Sequence, residues 1–250
     1  MGVCMAFEQL VFFIIQYVII YFFILLAIFT VGNFFEAWFA KLAGDNTPEY
    51  ADFFTLNPLA HVNWVNLLMI ILTVVSMQSI LEGRVADIFL SFCFILASSY
   101  AVYTVPVNMD NFKYPILGSL LFAVSCSVGL LSLGIVFGFG TLAVLHFLLK
   151  VIPGYMVTTL ANLALTLLNF SFFWAIVQCI PLPPFHAGNV LIHLLPKRYE
   201  YVGVFLSRYA IFTYLFLFFM PGVDAWFFSL IGGIVNKLTI FTGYFLLPMN

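Results

Sequence analysis

The sequence predicts an all-α polytopic membrane protein, with six or seven transmembrane helices in a single integral membrane domain over residues 1–250. Three observations carry this. Hydrophobic residues make up 64% of the chain and charged residues only 7%, against about 25% charged in soluble domains. Several apolar runs reach the roughly 20 residues that a helix needs to cross a bilayer. Between them lie short stretches rich in Pro, Gly and Asn, which break helix.

The elements follow in order. A first helix runs from about Glu8 to Ala43, longer than one crossing requires. "GDNTPEYADFFTLNP" (Gly44–Pro58) ends it, and "DFFTL" within it reads as a short strand near residues 52–56. Two apolar runs, Trp64–Leu81 and Val85–Thr104, are punctuated by "EGR". "VPVNMDNFKYP" (Val105–Pro115) is a second polar loop. Ile116–Leu149 is apolar but carries Gly and Ser, which permit close helix contacts in lipid. A helix over Tyr155–Ile180 stops at "PLPPFHAG" (Pro181–Gly188), because proline lacks the backbone donor and clashes with the preceding turn. After the polar connection "HLLPKRYEY", Phe205–Met220 and Ala225–Leu247 form C-terminal helices within about 203–247.

Composition also excludes. The formal net charge is -2, and no basic cluster exists to track a nucleic acid backbone. The partners expected from composition are membrane lipids. The first apolar run has no basic segment before it and no small-residue cleavage site after it, so it reads as a retained helix. A bacterial inner membrane or an organelle membrane suits such a chain. Cys4, Cys93, Cys126 and Cys179 each stand alone, with no CxxC pair, and read as small buried hydrophobes. The 32 phenylalanines spread over all segments as lipid-facing bulk and helix packing. Lys197 and Arg198 form the only adjacent basic pair, which the inside-positive rule places in the cytoplasm.

Polar residues at membrane depth are costly and are therefore functional candidates. Glu36 reads as an interfacial carboxylate, a metal or proton site, or a partner contact. His61 and His186 border proline-marked loops and read first as hydrogen-bonded structural histidines, then as ligands. His146 and His193 are weaker candidates. Asn162, Asn169 and Gln178 fall roughly on one face of their helix, suiting either a polar path or hydrogen bonds between helices. No Ser/His/Asp constellation and no phosphate-cradling glycine loop occurs.

Three blocks then stand in order: "EAWFAKLAGD…FTLNPLAH" (Glu36–His61), "VPVNMDNFK" (Val105–Lys113) and "CIPLPPFHAGNVL" (Cys179–Leu191). Together they resemble the site-2 protease family of intramembrane zinc metalloproteases (peptidase M50-like), in its compact branch without a PDZ domain. The resemblance implies a site-2-protease-like core over about residues 8–200. It also makes 64–104 longer than expected, as if a helical hairpin had been inserted there.

The family's chemistry uses HExxH on a helix, where two histidines one turn apart face one zinc beside a glutamate base. An aspartate in a later LPPxDG loop is its third ligand, and an asparagine precedes that loop. Carried over without gaps, these five positions fall on Gly32, Asn33, Glu36, His186 and Gln178, and all five differ from the family. The framework meanwhile matches at Trp38, Gly44, Asp45, Leu56, Asn57, Pro58, His61, Pro106, Asn108, Asn111, Pro181, Pro183, Pro184 and Gly188. The resemblance therefore implies a pseudoprotease with no catalytic residues and no cofactor, which binds or scaffolds other membrane proteins in a complex. A zinc site or residual metalloprotease with substituted ligands Glu36, His61 and His186 is the alternative, and a transporter or proton-pathway subunit a further one. Glu36 and His186 are left to hold each other, a metal, or nothing.

Overall fold

A computed structural model of the chain describes residues 7–61, 105–148, 153–183, 185–220 and 222–246. The predicted hairpin at 64–104, together with Pro184, Cys4 and Cys93, lies outside these residues. The described elements are α1 (Phe7–Ala43), α2 (Thr47–Tyr50), α3 (Pro115–Leu133), α4 (Gly140–Leu148), α5 (Gly154–Gln178), α6 (His186–His193), α7 (Glu200–Phe219) and α8 (Val223–Leu246). A π-helical stretch, Gly134–Phe139, joins α3 to α4. Short 3-10 turns form at Pro58–Ala60, Met109–Asn111 and Lys197–Tyr199.

Among the described residues three helical stretches are long and apolar enough to cross a membrane: Phe22–Ala43, Pro115–Phe147 and Gly154–Gln178. That is fewer than the six or seven expected. Two of the expected runs lie outside the described residues. The C-terminal helix α7 is kinked at Tyr209, whose φ of -107° leaves the helical region, and the side chains of much of its second half lie outside the described residues.

No strand forms among the described residues, so the strand expected near 52–56 is corrected. Asp52 takes a left-handed φ of 61° directly after α2 and turns the chain back. The Phe53 N–H then donates to the Pro48 carbonyl. The Thr55 hydroxyl accepts from Asn57 N, and Asn57 Oδ1 accepts from Leu59 N, both at 3.1 Å. Local turn bonds take the groups that a strand partner would have used.

The three long stretches form an antiparallel row. Ala40 packs with Phe112 and Phe122, while Gly129 packs on Phe35 and Gly32 on Cys126, so α1 and α3 run in opposite directions. Ser127 donates to the Ala175 carbonyl at 2.7 Å and Gly138 abuts Leu168, which sets α5 antiparallel to α3. A Cβ at Gly129 would stand 2.6 Å from the Phe35 ring, so the bare glycine lets the two backbones approach. The core between them holds Leu25, Ile28, Leu130, Leu168 and Phe172, with Phe29 edge-on to the buried Trp174 at 5.7 Å between ring centres. As a result the C-termini of α1 and α5 and the N-terminus of α3 lie at one end of the row.

Gly44 and Asp45 explain how α1 stops there. Gly44 has φ +117°, a conformation that side chains disfavour. Its N–H donates to the Lys41 carbonyl at 3.1 Å and the Asp45 N–H to the Ala40 carbonyl at 2.9 Å, a glycine-terminated helix end. The fully buried Asp45 then clamps two loops. Its Oδ1 accepts from Thr47 Oγ1 (2.6 Å), Thr47 N (3.1 Å) and Asn111 Nδ2 (2.9 Å), and its Oδ2 from Asn108 N (2.8 Å). Burial alone would raise the carboxyl pKa. The Thr47 hydroxyl, Asn111, and the backbone N–H groups of Asn108 and Thr47 outweigh it and hold the pKa below the usual carboxylate range.

Asp45→Asn puts an amide N–H against one of these donors. It is expected to cost about 1.5–3 kcal/mol at neutral pH, the scale of a hydrogen bond to a charged group. Because the folded pKa is depressed, the stabilisation is present above the unfolded value and is lost as pH falls through the folded one. Thermal unfolding of both proteins in detergent checks this: the gap between them should close only in strong acid.

Candidate functional site

Glu36 and His186 come together at the end of the row where the loops gather. His186 Nδ1 lies 3.1 Å from Glu36 Oε1, and both side chains are nearly enclosed. Glu36 sits on the buried face of α1 beside Gly32 and Asn33. His186 opens α6, placed there by the proline-rich turn before it. The Leu182 N–H bonds the Ile180 carbonyl and the Phe185 N–H the Leu182 carbonyl, while Phe185 is fully buried as an anchor. Gly188 packs against the backbone of Leu182 and Pro183. The His186 N–H, one of the unpaired donors of a helix start, donates to Gln178 Oε1 at 3.0 Å. Gln178 therefore caps α6 from the end of α5.

The imidazole is held on both sides. Nε2 lies 2.7 Å from the Phe122 carbonyl, which can only accept, so this nitrogen carries a proton. Nδ1 faces the carboxyl. One proton is shared there: on Nδ1 it makes an ion pair, on Glu36 a neutral pair, and either arrangement satisfies both groups. The Phe122 ring stands edge-on to the imidazole at 4.7 Å, and Ser125 Oγ lies 3.4 Å from Nε2.

Residues 125–127, "SCS", complete the site, and sequence reading missed them. Ser125 faces His186. The Cys126 thiol is within hydrogen-bonding reach of Glu36 and fills the space over Gly32, where a Cβ would stand 3.0 Å from its sulfur. Ser127 ties α3 to α5 and accepts from Cys179 Sγ at 3.1 Å. Cys126 is buried as expected, whereas Cys179 is exposed at the end of α5, a correction to its reading as a buried hydrophobe. Three consecutive small polar residues in an apolar helix were the available signal.

His61 does not join the pair. Its ring is buried against Phe53, with Nε2 2.7 Å from the Thr55 carbonyl and Nδ1 without a hydrogen-bond partner among the described residues. Burial lowers its pKa; the Thr55 carbonyl and the charge of Glu36 oppose this without cancelling it, so the ring favours the neutral form. Among the described residues no group of three His, Cys, Asp or Glu side chains could hold a metal ion, so Glu36, His61 and His186 do not converge as a ligand set. Asn33, where the resemblance has a base, is buried and carries an amide that does not take up protons near neutrality.

The remaining candidates are dispersed. Asn162 and Asn169 are exposed on α5, and Asn169 Oδ1 accepts from Thr239 of α8 at 3.3 Å. His146 and His193 are exposed, the latter 4.0 Å from Asp110. Asn57 and Asn108 each cap a 3-10 turn through the side chain. The chain matches no family model, no curated protein and no solved structure.

Proposed function

We propose that this chain is a non-catalytic, site-2-protease-like subunit of a membrane complex, a pseudoprotease with six or seven crossings that binds or scaffolds other integral membrane proteins. The observation that carries the reading is the 3.1 Å contact between His186 and Glu36. In the resemblance these two positions hold metal ligands; here they engage each other. Cys126 occupies the space over Gly32, where the other ligand would stand. A buried polar pair that satisfies itself avoids the cost of two unpaired buried groups and needs no metal to do so. The clamp from Asp45 to Asn108 and Asn111 supports the same reading, since it gives framework matches a purely structural role. The alternative of a zinc site with substituted ligands has less support, because His61 turns its Nε2 to Thr55.

Two measurements test the proposal on protein extracted in mild detergent. Elemental analysis should find no stoichiometric zinc; zinc that is present and disappears in Glu36→Ala or His186→Ala would overturn it. Mass analysis of the intact particle should find an integral membrane protein in fixed ratio to this chain. A bare monomer would count against the scaffold role.

A further inference from the structure

We propose that the groove between α6 and the first turns of α7 binds an anionic phospholipid, with Lys197 and Arg208 holding its phosphate. This goes beyond the pseudoprotease reading and is independent of it; it needs only that the chain lies in a membrane.

Two adjoining cavities form the groove. One, of about 680 Å³, is lined by Ile192, Lys197, Val204 and Arg208 among others. The next, of about 540 Å³, shares Lys197, Glu200, Val204 and Arg208 and adds Tyr201, Phe205 and Tyr209. Lys197 and Arg208 are eleven positions apart, yet both line both cavities. Helical side chains lean toward the N-terminus of their helix, so Arg208 reaches back along α7 toward Lys197. Neither has an ion-pair partner among the described residues. Against these two cations the groove sets one anion, Glu200. His193, also on the wall, lies 4.0 Å from Asp110.

Charge selects phosphate, and the walls select a lipid. A guanidinium takes two phosphate oxygens in one plane, and an ammonium adds a point charge beside it. A free phosphate would leave the apolar wall unused. Phe205 is 57% exposed, Tyr201 70% and Val204 51%, a surface on which acyl chains can lie. Tyrosines concentrate at the headgroup level of membranes, where basic pockets bind anionic headgroups. Arg198 stacks over Tyr199 at 4.5 Å beside the same groove.

The test titrates the purified full chain in detergent with fluorescent phosphatidylglycerol, phosphatidylcholine and inorganic phosphate. Phosphatidylglycerol should bind at least about tenfold tighter than phosphatidylcholine, which carries the same phosphate without net charge. Lys197→Ala with Arg208→Ala should weaken it about thirtyfold, roughly fivefold per cation. Glu200→Gln should tighten it by about the same factor per charge, and serves if the double variant fails to fold. Equal binding of the two lipids overturns the proposal, as does binding that none of these substitutions alters. Inorganic phosphate that binds as tightly as the lipid would make this a free-phosphate site and overturn the lipid assignment.

Discussion

Replacing His186 with alanine is expected to destabilise the protein by about 1–5 kcal/mol, from the range for leaving one buried polar group unsatisfied to that for breaking a buried ion pair. The side chain links three elements at once. Nδ1 engages Glu36 of α1, Nε2 engages the Phe122 carbonyl of α3, and the residue itself starts α6. Its loss leaves the carboxyl of Glu36 buried without the imidazole, with the Cys126 thiol still within reach. Exchanging both partners should cost much less: Glu36→Met with His186→Leu leaves no charge to desolvate, and such swaps are often near neutral. Thermal unfolding of the two single variants and the pair gives a double-mutant cycle. Coupling near zero would mean that the contact does not hold α1 to α6. Full retention of stability in His186→Ala would have the same meaning.

Gly188→Ala is expected to be at least as damaging, although it adds a single methyl group. The new Cβ would run into the carbonyl carbon and oxygen of Leu182 and the nitrogen of Pro183. These are backbone atoms in a turn fixed by prolines, so no rotamer change relieves them. Overpacking a well-fitted interior costs about 1–3 kcal/mol where neighbours can shift, and more where they cannot. Gly129→Ala is the internal comparison, since its Cβ meets the Cβ and ring of Phe35 across a helix–helix contact, which opens by a shift of α1 against α3 rather than by breaking a turn. Size-exclusion profiles after solubilisation should show Gly129→Ala as a weakened monodisperse protein and Gly188→Ala as aggregated or absent. A well-behaved Gly188→Ala protein would show that α6 does not depend on its contact with the proline-rich turn.

Much of the architecture was legible because it follows from local chemistry. The end of α1 was placed near Ala43 from the Gly, Asn and Pro residues of the polar stretch that follows, and the structure ends the helix there through the positive φ of Gly44. The break at "PLPP" marks the end of α5. The strand at 52–56 was misread because apolar "DFFTL" has the composition of a strand, whereas Asp52 reverses the chain and local turn bonds consume the backbone groups.

In the site, Glu36 and Gln178 stood out as polar residues in costly places and His186 as a histidine beside a proline-marked loop. Whether Glu36 and His186 would hold each other, a metal or nothing was left open. Cys126 was read only as a small buried hydrophobe, because its neighbours Gly32 and Glu36 lie about ninety residues away in sequence.

The sequence by itself determined the helical class, the apolar segments and the places where helices stop, because hydropathy, glycine and proline act within a few residues. Only the tertiary structure decided that the Glu36 carboxyl meets His186, that His61 turns away to Thr55, and that Asp45 reaches across to Asn108 and Asn111. Those outcomes depend on how antiparallel helices slide against one another until glycines admit bulky neighbours. Such register is set by long-range packing, which no single segment encodes.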